Sequence, residues 1–469
     1  SAALRIDVTS DGTNWHVQAF QQGHAIEADK TYEFAFYARA SNPGELTVDI
    51  MKGVAPWSNF GLSKTFRLST TWQRFTGRFQ ANDTDSSTVR PTFELGARDN
   101  TIWIDQVEFR SSVPKGLESD ESLAAGTVRR PMRADLGSYT PARIIDLFRF
   151  YTEVDEDYFV GMQRYLKEDL GVKALVTGTA PWWTYLGDTA TQAKLDFVDG
   201  HYYWDHPSWP PGQEWAPTGW KITNQPFINQ LQNLAGLAAQ AVEGRPYTVS
   251  EFNEVFPNRY ALEGPLLVAM IANLQDWDAV YMFDYAGSTA SFDDTFTSSF
   301  FSHAGNPIKT AQLPICSRIF LSRQSSSASE SVSVELTREE LARGFAKGVV
   351  NGSSLLANKG LDRRAFLKAR QRIRTFDRPE PTSIDYPVTA GSVTSSNEEL
   401  IWNTENDQAA YLRVKGSAVQ GAIGFVKGST LDLGDWSFRV GDAGPSHMAV
   451  LLQSRDAAPL RETRRMILS

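Results

Sequence analysis

The sequence has little cysteine, no long apolar run and no excess of positive charge. Its single cysteine, Cys316, excludes an intrachain disulfide and a cysteine-based zinc site. No run of about 18 apolar residues is present, so no membrane-spanning helix is predicted. The 46 basic and 55 acidic residues give a net charge of −9, and no basic run is longer than a pair such as Arg129-Arg130. We therefore expect no binding to nucleic acid or to anionic membranes.

Aromatic residues are abundant, with 13 Trp, 15 Tyr and 27 Phe among 469 residues. The length allows two to four domains, and 41% hydrophobic residues supply several packed cores, which excludes a disordered chain. Trp and Tyr in an acidic protein suit flat amphipathic ligands such as sugars, although large cores use the same residues.

The first 112 residues consist of short aromatic-rich runs separated by turns. Residues 32–39, 72–79 and 101–109 are such runs, and segments such as Ser41-Asn42-Pro43-Gly44 supply turns between them. Repeated short strands without a helical stretch predict a β-sandwich over residues 1–112.

From residue 113 to residue 324 the pattern changes to alternating helices and strands. Thr140-Pro141 has the signature of a helix start, and apolar residues recur at helical spacing to Leu170, where Gly171 ends the helix. Strands are predicted at 172–177, 195–199, 247–250 and 277–284, and further helices at 227–242, 260–274 and 307–322. This alternation predicts parallel (β/α) units, but only about half of the eight strands that a TIM barrel needs.

The remaining residues divide into a connecting segment and a strand-rich end. Residues 325–382 begin with a Ser-rich linker and continue as a charged helical stretch. Residues 383–469 contain Gly and Ser turns between apolar runs, which predicts a second β-sandwich. The chain is therefore predicted to be multidomain, with a β-sandwich at each end of a central (β/α) barrel-like domain.

Glu251 is the strongest catalytic candidate. It follows the apolar strand Tyr247-Thr248-Val249-Ser250, and the carboxyl ends of parallel strands face the active-site mouth of (β/α) folds. A carboxylate at this place can act as a nucleophile or a base. The alternative is a solvated glutamate that begins the next turn.

The preceding strand ends in a segment of polar and aromatic residues. His201 and Tyr203 have the parity to face the same side, where they could hydrogen-bond a sugar or orient a carboxylate; the alternative is a pair of polar loop residues. No third ligand at a convincing spacing supports a metal site, and no cofactor is expected. The chain also lacks a G-x-S-x-G elbow, a phosphate loop and a G-x-G-x-x-G motif.

Six tryptophans cluster in the predicted strand-to-helix loops at the same mouth. Such residues usually have a packing role, but six of them together suit stacking subsites for sugar rings. They are Trp182, Trp183, Trp204, Trp209, Trp215 and Trp220.

Four segments resemble the C-terminal half of clan A retaining glycoside hydrolases, in particular family 5-like cellulases and mannanases. These segments are Tyr158 to Thr179, Asp199 to Tyr203, Tyr247 to Asn253 and Trp277 to Tyr285. The resemblance implies that Glu251 is the nucleophile and that His201 and Tyr203 contact substrate. It also implies a polysaccharide substrate such as β-1,4-glucan or mannan, and an extracellular or periplasmic location.

The N-terminal 112 residues resemble a carbohydrate-binding module of the family 4/9 type. Asn14-Trp15-His16-Val17-Gln18 and Tyr32-Glu33-Phe34 carry this likeness. Within the module we expect Trp15, Trp57 and Tyr37 to stack on sugar rings and Gln18 to hydrogen-bond them. Trp72 and Trp103 lie in predicted strands, where packing in the core is expected.

The acid/base residue is not specified by the resemblance. In the clan it is a glutamate after an asparagine at the end of strand four, and the only Asn-Glu pairs here are Asn253-Glu254 and Asn397-Glu398. Glu254, Asp205 and Asp284 remain as substitutes, and Glu254 would share one loop with Glu251.

The predicted function is therefore a retaining glycoside hydrolase. The alternatives are a noncatalytic polysaccharide-binding protein and an incomplete glycosidase that lacks its acid/base half. A half barrel also exposes two sheet edges, which predicts a homodimer.

Overall fold

The computed structural model describes residues 3–10, 12–180, 184–210, 213–349, 351–444 and 446–469. The chain forms two compact units, the first comprising residues 1–151 and 342–349 and the second the rest. Among the described residues, no helix has both the length and the apolar character needed to cross a bilayer.

The first unit is built mainly of β-strands. They are β1 (Leu4–Val8), β2 (Gln18–Phe20), β3 (His24–Ile26), β4 (Thr31–Ala40), β5 (Gly44–Lys52), β6 (Asn59–Leu68), β7 (Gln73–Gln80), β8 (Asp85–Glu94) and β9 (Asn100–Ser111).

These strands form the β-sandwich predicted from the sequence. One sheet has the order β1-β9-β4-β7, and the other has the order β2-β8-β5-β6, with β3 also paired to β8. Alternate residues of both sheets, such as Phe34 and Phe36 on β4 and Val48 and Ile50 on β5, are fully buried between them. Side chains that alternate with these point outward. The outer face of the second sheet is therefore built by residues from β2, β5, β6 and β8.

The remaining elements follow in chain order. They are α1 (Pro141–Arg164), α2 (Leu186–Gln192), β10 (Val198–Trp204), α3 (Ala235–Ala238), β11 (Tyr247–Glu254), α4 (Glu263–Gln275), β12 (Ala279–Met282), α5 (Pro307–Leu321), β13 (Ser331–Glu335), α6 (Arg338–Ala346), α7 (Gly352–Asn358), α8 (Ala365–Lys368), β14 (Arg370–Thr375), β15 (Val393–Thr394), β16 (Leu400–Asn403), β17 (Tyr411–Lys415), β18 (Val419–Phe425), β19 (Thr430–Asp432), β20 (Ser437–Arg439), β21 (His447–Ser454) and β22 (Met466–Leu468).

The predicted start of α1 is confirmed. The Thr140 hydroxyl accepts a hydrogen bond from the backbone N–H of Arg143 at 3.3 Å, and Pro141 occupies the first helical position. Gly171 has φ 67°, a left-handed conformation that suits glycine, and lies just beyond the last helical turn.

The centre of the second unit is a parallel sheet of three strands, in the order β10-β11-β12. The strands predicted at 247–250 and 277–284 correspond to β11 and β12. The strand predicted at 195–199 corresponds to β10, which begins at Val198 rather than residue 195. Residues 172–177 form no strand; the backbone N–H of Val176 donates to the Asp196 carboxylate at 2.7 Å, and its carbonyl accepts from the Asp196 N–H at 3.0 Å. The described part of the chain is a mixed α/β region rather than a recognisable half barrel.

The sequences of helices α4 and α5, which lie beside this sheet, explain the burial of α4 and the start of α5. Every residue of α4 is buried, as expected for a helix that is apolar on all sides. The helix α5 begins at Pro307 and is capped by Asn306, whose side chain accepts from the Lys309 N–H. The helix predicted at 227–242 is replaced by a 3-10 turn and the four-residue α3, because the backbone of Gln230 departs from helical geometry.

The C-terminal region is one six-stranded sheet, β15-β16-β17-β18-β21-β22, rather than a sandwich of two full sheets. The hairpin β19–β20 covers one side of it, where Ala422, Leu431 and Val440 form a small core. On this sheet, Gln453 donates to the backbone oxygen of Ile315 in α5 at 3.2 Å. The predicted second sandwich fails because β19 and β20 have only three residues each and pair only with each other among the described strands.

Candidate functional site

Glu251 lies in the carboxyl half of β11, three residues before the strand ends at Glu254, and directly opposite His201 on β10. Its Oε2 atom accepts a hydrogen bond from the Tyr203 hydroxyl and lies 3.4 Å from His201 Nδ1. The Glu251 side chain is 32% exposed, so the carboxylate is oriented by protein groups and still open to solvent. Glu251, His201 and Tyr203 are the three predicted site residues that the structure brings together.

Asp199 holds His201 in place from behind. Its carboxylate accepts hydrogen bonds from the Ser250 N–H at 3.0 Å and the Ser250 hydroxyl at 2.5 Å. His201 Nε2 lies 2.7 Å from Ser250 Oγ and 3.3 Å from Asp199 Oδ2. Sequence reasoning missed Asp199 as a site residue, although its position two residues before His201 gives it the same strand parity.

The surroundings of these residues favour a positively charged His201 imidazole and a protonated Tyr203 hydroxyl. Burial opposes the charge on His201, but the hydrogen bond to Asp199 and the charges of Glu251 and Asp199 outweigh it and raise the pKa of His201. Burial opposes ionisation of Asp199 as well, yet the hydrogen bonds from His201, Ser250 and Thr248 lower its pKa. Burial and the bond to Glu251 raise the pKa of Tyr203, so its hydroxyl remains a donor.

Glu254 does not share a site with Glu251. Strand β11 continues through Glu254, and a separation of three residues in a strand puts the two side chains on opposite faces. Glu254 is fully buried and accepts from the Gly264 N–H at 2.6 Å. Burial, followed by the charge of Glu263, raises its pKa well above the usual range. The prediction that both glutamates share one loop is wrong, because β11 extends beyond the apolar run at its start and includes both of them.

The Asp205 carboxylate forms hydrogen bonds that stabilise its own loop. Its carboxylate accepts from the Thr223 N–H at 2.6 Å, the Asn224 N–H at 2.8 Å and the Asn258 amide at 2.9 Å. A carboxylate with these partners is a structural cap rather than a candidate proton donor.

Asp284 is the remaining predicted carboxyl group, and it follows β12 on the neighbouring strand. Its Oδ1 atom is buried and has no hydrogen-bond partner within the described ranges. Burial raises the pKa of Asp284, and the nearby ammonium of Lys309 opposes this shift. Lys309 is itself buried and donates to Asn253 Oδ1 at 2.7 Å.

The predicted tryptophan cluster is only partly present. Trp204 is 7% exposed and its ring stacks on Phe227 at 4.7 Å, so it is a core residue and not a sugar platform. Trp209 is half-buried, with its ring 5.1 Å from the exposed ring of Trp215. Trp220 packs at 5.3 Å from Phe300. Trp182 and Trp183 lie outside the described residues.

In the first unit, a recessed strip crosses the outer face of the sheet that contains β8. The register places Thr92 between Phe20 on β2 and Asp49 on β5, and Glu94 between Gln18 and Thr47. Thr92 is fully buried although it points away from the sandwich core, and Arg90 on the same face is 9% exposed. Because the side chains of the central strand β8 on this outer face are inaccessible to solvent, the face forms a groove. The side chains on the floor of this groove are polar.

Aromatic rings flank this groove at one end. Phe20 is 52% exposed and Trp57 is 51% exposed. The Arg90 guanidinium lies 4.3 Å from the Phe20 ring centroid and 5.2 Å from that of Trp57, and it donates to Gln18 Oε1 at 3.2 Å. Exposed rings beside fixed polar groups suit a sugar, because its ring faces are apolar and its rim carries hydroxyls.

Comparison with known proteins identifies the N-terminal part of this unit. Residues 1–101 match the family model for the carbohydrate binding domain CBM_4_9. Residues 1–101 form a carbohydrate-binding module. No curated protein matches the chain.

Three of the solved structures similar to the chain each cover about a quarter of it. A structure solved under the heading "CBM4 structure and function" is 32% identical over 23% of this chain and 70% of its own, with a TM-score of 0.22. The N-terminal cellulose-binding domain of β-1,4-glucanase C from Cellulomonas fimi is 23% identical over 24% of this chain and 82% of its own, with a TM-score of 0.22. The second N-terminal domain of that enzyme is 19% identical over 24% and 76%, with a TM-score of 0.22.

Three of the residues predicted to bind glycan lie at or beside the groove of the carbohydrate-binding module. Trp57 flanks it, Gln18 lines it, and Trp15 is 63% exposed in the turn that leads into β2. Tyr37 belongs to β4 in the other sheet, so it cannot reach this groove. The role predicted for Tyr37 therefore stays a prediction, and it would require a glycan site on the other sheet.

Trp72 and Trp103 were expected in the core of the module, and both lie outside it. Trp72 is 43% exposed, and Trp103 faces outward on β9. The Arg39 guanidinium lies 3.9 Å from the Trp103 ring centroid and 5.6 Å from that of Trp72. The expectation is wrong because the two rings pack against a cation on the outer face of the first sheet.

The groove residues that sequence reasoning missed are Phe20, Arg90, Asp49 and Glu94. Once the strands are known, the outward parity of Arg90, Asp49 and Glu94 is visible from their buried neighbours, and that of Phe20 follows from its pairing with Thr92. Their convergence depends on the pairing of β2, β8 and β5, which the sequence does not state.

Proposed function

We propose that this protein is a glycoside hydrolase that acts on a β-linked polysaccharide. The carbohydrate-binding module would hold the glycan, and the second unit would cleave it with Glu251 as nucleophile. The observation that carries the proposal is the grouping of Glu251 with His201 and Tyr203 at the carboxyl edge of a parallel sheet. The substrates to test are β-1,4-glucan and mannan, which the resemblance of these segments implies.

The roles follow from the chemistry of a retaining glycosidase. An ionised Glu251 would attack the anomeric carbon, form a glycosyl ester and release the leaving group. The Tyr203 phenol and the His201 imidazole would hold the carboxylate in its charged state, because both contact its Oε2 atom.

Asp284 is the best-supported acid/base residue in this proposal. Glu254 lies on the other face of the sheet, and Asp205 is occupied by its loop contacts. Asp284 follows the strand next to Glu251, interacts with the same Tyr203, and has a raised pKa, as a proton donor requires. The proposal requires the carboxyl groups of Glu251 and Asp284 to stand about 5–5.5 Å apart, as in a retaining pair.

The second candidate is a noncatalytic polysaccharide-binding protein. Two of the three predicted acid residues, Glu254 and Asp205, are occupied by structural contacts, and this favours a protein that binds glycan without cleaving it. In either case we propose an extracellular or periplasmic location, since polymers of this size are found outside the cytoplasm.

Release of reducing sugar separates the two candidates. Wild-type protein and Glu251→Gln would be assayed on carboxymethyl-cellulose and mannan, with Glu380→Gln at an exposed position as the matched control. We expect Glu251→Gln to lose activity by at least a thousandfold while it still binds insoluble glucan. Retention on glucan with no sugar released by the wild type would favour the binding protein, and an active Glu251→Gln would refute the nucleophile.

A further inference from the structure

The outer face of the sheet β1-β9-β4-β7 carries a cation beside two indole rings. Arg39 on β4 is paired with Trp103 on β9, and Trp72 lies just before β7, whose Gln73 is paired with Ala38. The Arg39 guanidinium lies 3.9 Å from the Trp103 ring centroid and 5.6 Å from that of Trp72. Contact with two rings restricts the guanidinium to one place on this face.

Arg39 differs from the other outward arginines of this sheet in its lack of a carboxylate partner among the described residues. Its Nε atom is buried and has no hydrogen-bond partner within the described ranges. The arginines of this face that form ion pairs are Arg5 with Asp7, Arg78 and Arg110 with Glu33, and Arg74 with Glu33 and Glu108. The Arg39 guanidinium therefore keeps its capacity to bind an anion from solution.

Aromatic rings around this cation are open to solvent. Trp72 is 43% exposed, and Trp103 and Tyr37 are half-buried. Tyr37 lies two residues before Arg39 on β4 and therefore on the same face. Exposed rings bind the apolar faces of sugars, and a guanidinium binds a carboxylate through two parallel hydrogen bonds. A sugar that carries a carboxylate matches both groups.

We propose that this face is a second glycan-binding site, in which Arg39 binds the carboxylate of a uronic acid residue and Trp72 stacks on its pyranose ring. Tyr37 borders this site, which would give it the contact with a sugar that the sequence predicts. The site lies on the sheet opposite the groove that Trp57 flanks. It is therefore independent of the glycan that the groove binds and of any cleavage by the second unit.

Calorimetry with a charged and an uncharged form of one oligosaccharide tests this site on the full chain. Hexagalacturonate and its methyl ester contain the same sugar rings, but only the first carries carboxylates. The net charge of −9 disfavours general binding of anions, so tighter binding of the acid requires a local cation. We expect the wild type to bind the acid about tenfold to a hundredfold more tightly than the ester, the usual effect of a hydrogen bond to a charged group.

Variants locate this binding at Arg39. Arg39→Gln should lose about tenfold to a hundredfold in affinity for the acid and little for the ester. Arg39→Lys should also bind the acid more weakly, because an ammonium keeps the charge but not the planar pair of donors. Trp72→Ala should weaken the binding of both forms by about threefold to tenfold. Lys30→Gln removes a positive charge from an exposed turn and should behave as the wild type.

Several results would overturn this site. They are no binding of hexagalacturonate by the wild type, equal binding of its methyl ester, and unchanged affinity for the acid in Arg39→Gln or Arg39→Lys. Equal losses in Arg39→Gln and Lys30→Gln would overturn it as well, because net charge would then control the binding. Near-ultraviolet circular dichroism would establish that each variant is folded.

A groove variant separates this site from the proposed function. Trp57→Ala should bind hexagalacturonate as the wild type does while it binds cellohexaose more weakly. Loss of both ligands in Trp57→Ala would place the uronate in the groove and refute the second site. If cellohexaose fails to bind the wild type while hexagalacturonate binds and depends on Arg39, the groove is refuted as a glucan site and the second site stands.

Discussion

The Tyr203 hydroxyl donates a hydrogen bond to Glu251 Oε2 across neighbouring strands of the parallel sheet. The two residues are far apart in the sequence and meet because β10 and β11 end at the same edge. A phenol held at this oxygen restrains the carboxylate and stabilises its charge.

Removal of this hydroxyl should lower activity. A hydrogen bond to a charged group contributes about 1.5–3 kcal/mol, so we expect Tyr203→Phe to lose about tenfold to a hundredfold in kcat/KM on a soluble β-glucan. Tyr202→Phe, on the neighbouring position, is the control, since that ring packs on Phe252 at 6.2 Å. Equal activities of the two variants would contradict the role given to Tyr203.

Asp284 can be tested by chemical rescue. Asp284→Ala should lose activity on a polysaccharide but keep the first step on a dinitrophenyl glycoside, whose leaving group needs no proton. Azide should then accelerate turnover and yield a glycosyl azide, because this anion attacks the glycosyl ester in place of water, releases Glu251 and needs no general base. Asp205→Ala should show no rescue. An Asp284→Ala variant with full activity on polysaccharide would exclude Asp284 as the acid/base residue.

The raised pKa of His201 predicts a pH dependence of stability. The charged imidazole is stabilised in the folded protein, so its contribution is fully present below the ordinary value of 6.5 and is lost as the pH rises through the higher folded pKa. Urea denaturation should show a difference between wild type and His201→Gln that is largest near pH 6 and shrinks toward pH 9. A difference that grows with pH would mean that the shift has the opposite sign.

The two tryptophans Trp57 and Trp72 give a matched test of the module. Trp57 flanks the groove, whereas Trp72 is exposed on the opposite sheet. Loss of an aromatic contact of about 0.5–1.5 kcal/mol should weaken glycan binding by roughly threefold to tenfold in Trp57→Ala and leave Trp72→Ala unchanged. The dissociation constant for cellohexaose measures both, and the reverse result would place the glycan on the other sheet.

The sheet edges predict association of two chains. Within the described strands, β10 and β12 each pair only with β11, and an apolar groove of about 380 Å³ lies beside β12, where Tyr281 is 60% exposed. We expect light scattering to give twice the chain mass, and Tyr281→Glu to give a monomer, with Val113→Lys as the exposed control. A monomeric wild type at micromolar concentration would refute the dimer.

The sequence by itself determined the local features of this protein. The alternation of Phe34 and Phe36 with outward neighbours is typical of a sandwich strand, and Thr140-Pro141 marks the start of α1. The apolar run that begins at Tyr247 likewise predicted a parallel strand, although this strand continues past Glu251 to Glu254. In each case the signal lies within a few residues, because helix caps and strand alternation are set by neighbouring backbone groups.

Only the tertiary structure decided which side chains meet. Asp199 and Ser250 are 51 positions apart and bond because β10 and β11 pair, with a register shift that leaves Ser250 between the paired residues Val249 and Glu251. The extension of β11 by four residues puts Glu254 on the face opposite Glu251. Thr92 on β8 lies between Phe20 on β2 and Asp49 on β5 for the same reason. Strand pairing brings distant residues together through backbone hydrogen bonds that carry no side-chain signature, so the order and register of strands cannot be derived from residue types alone.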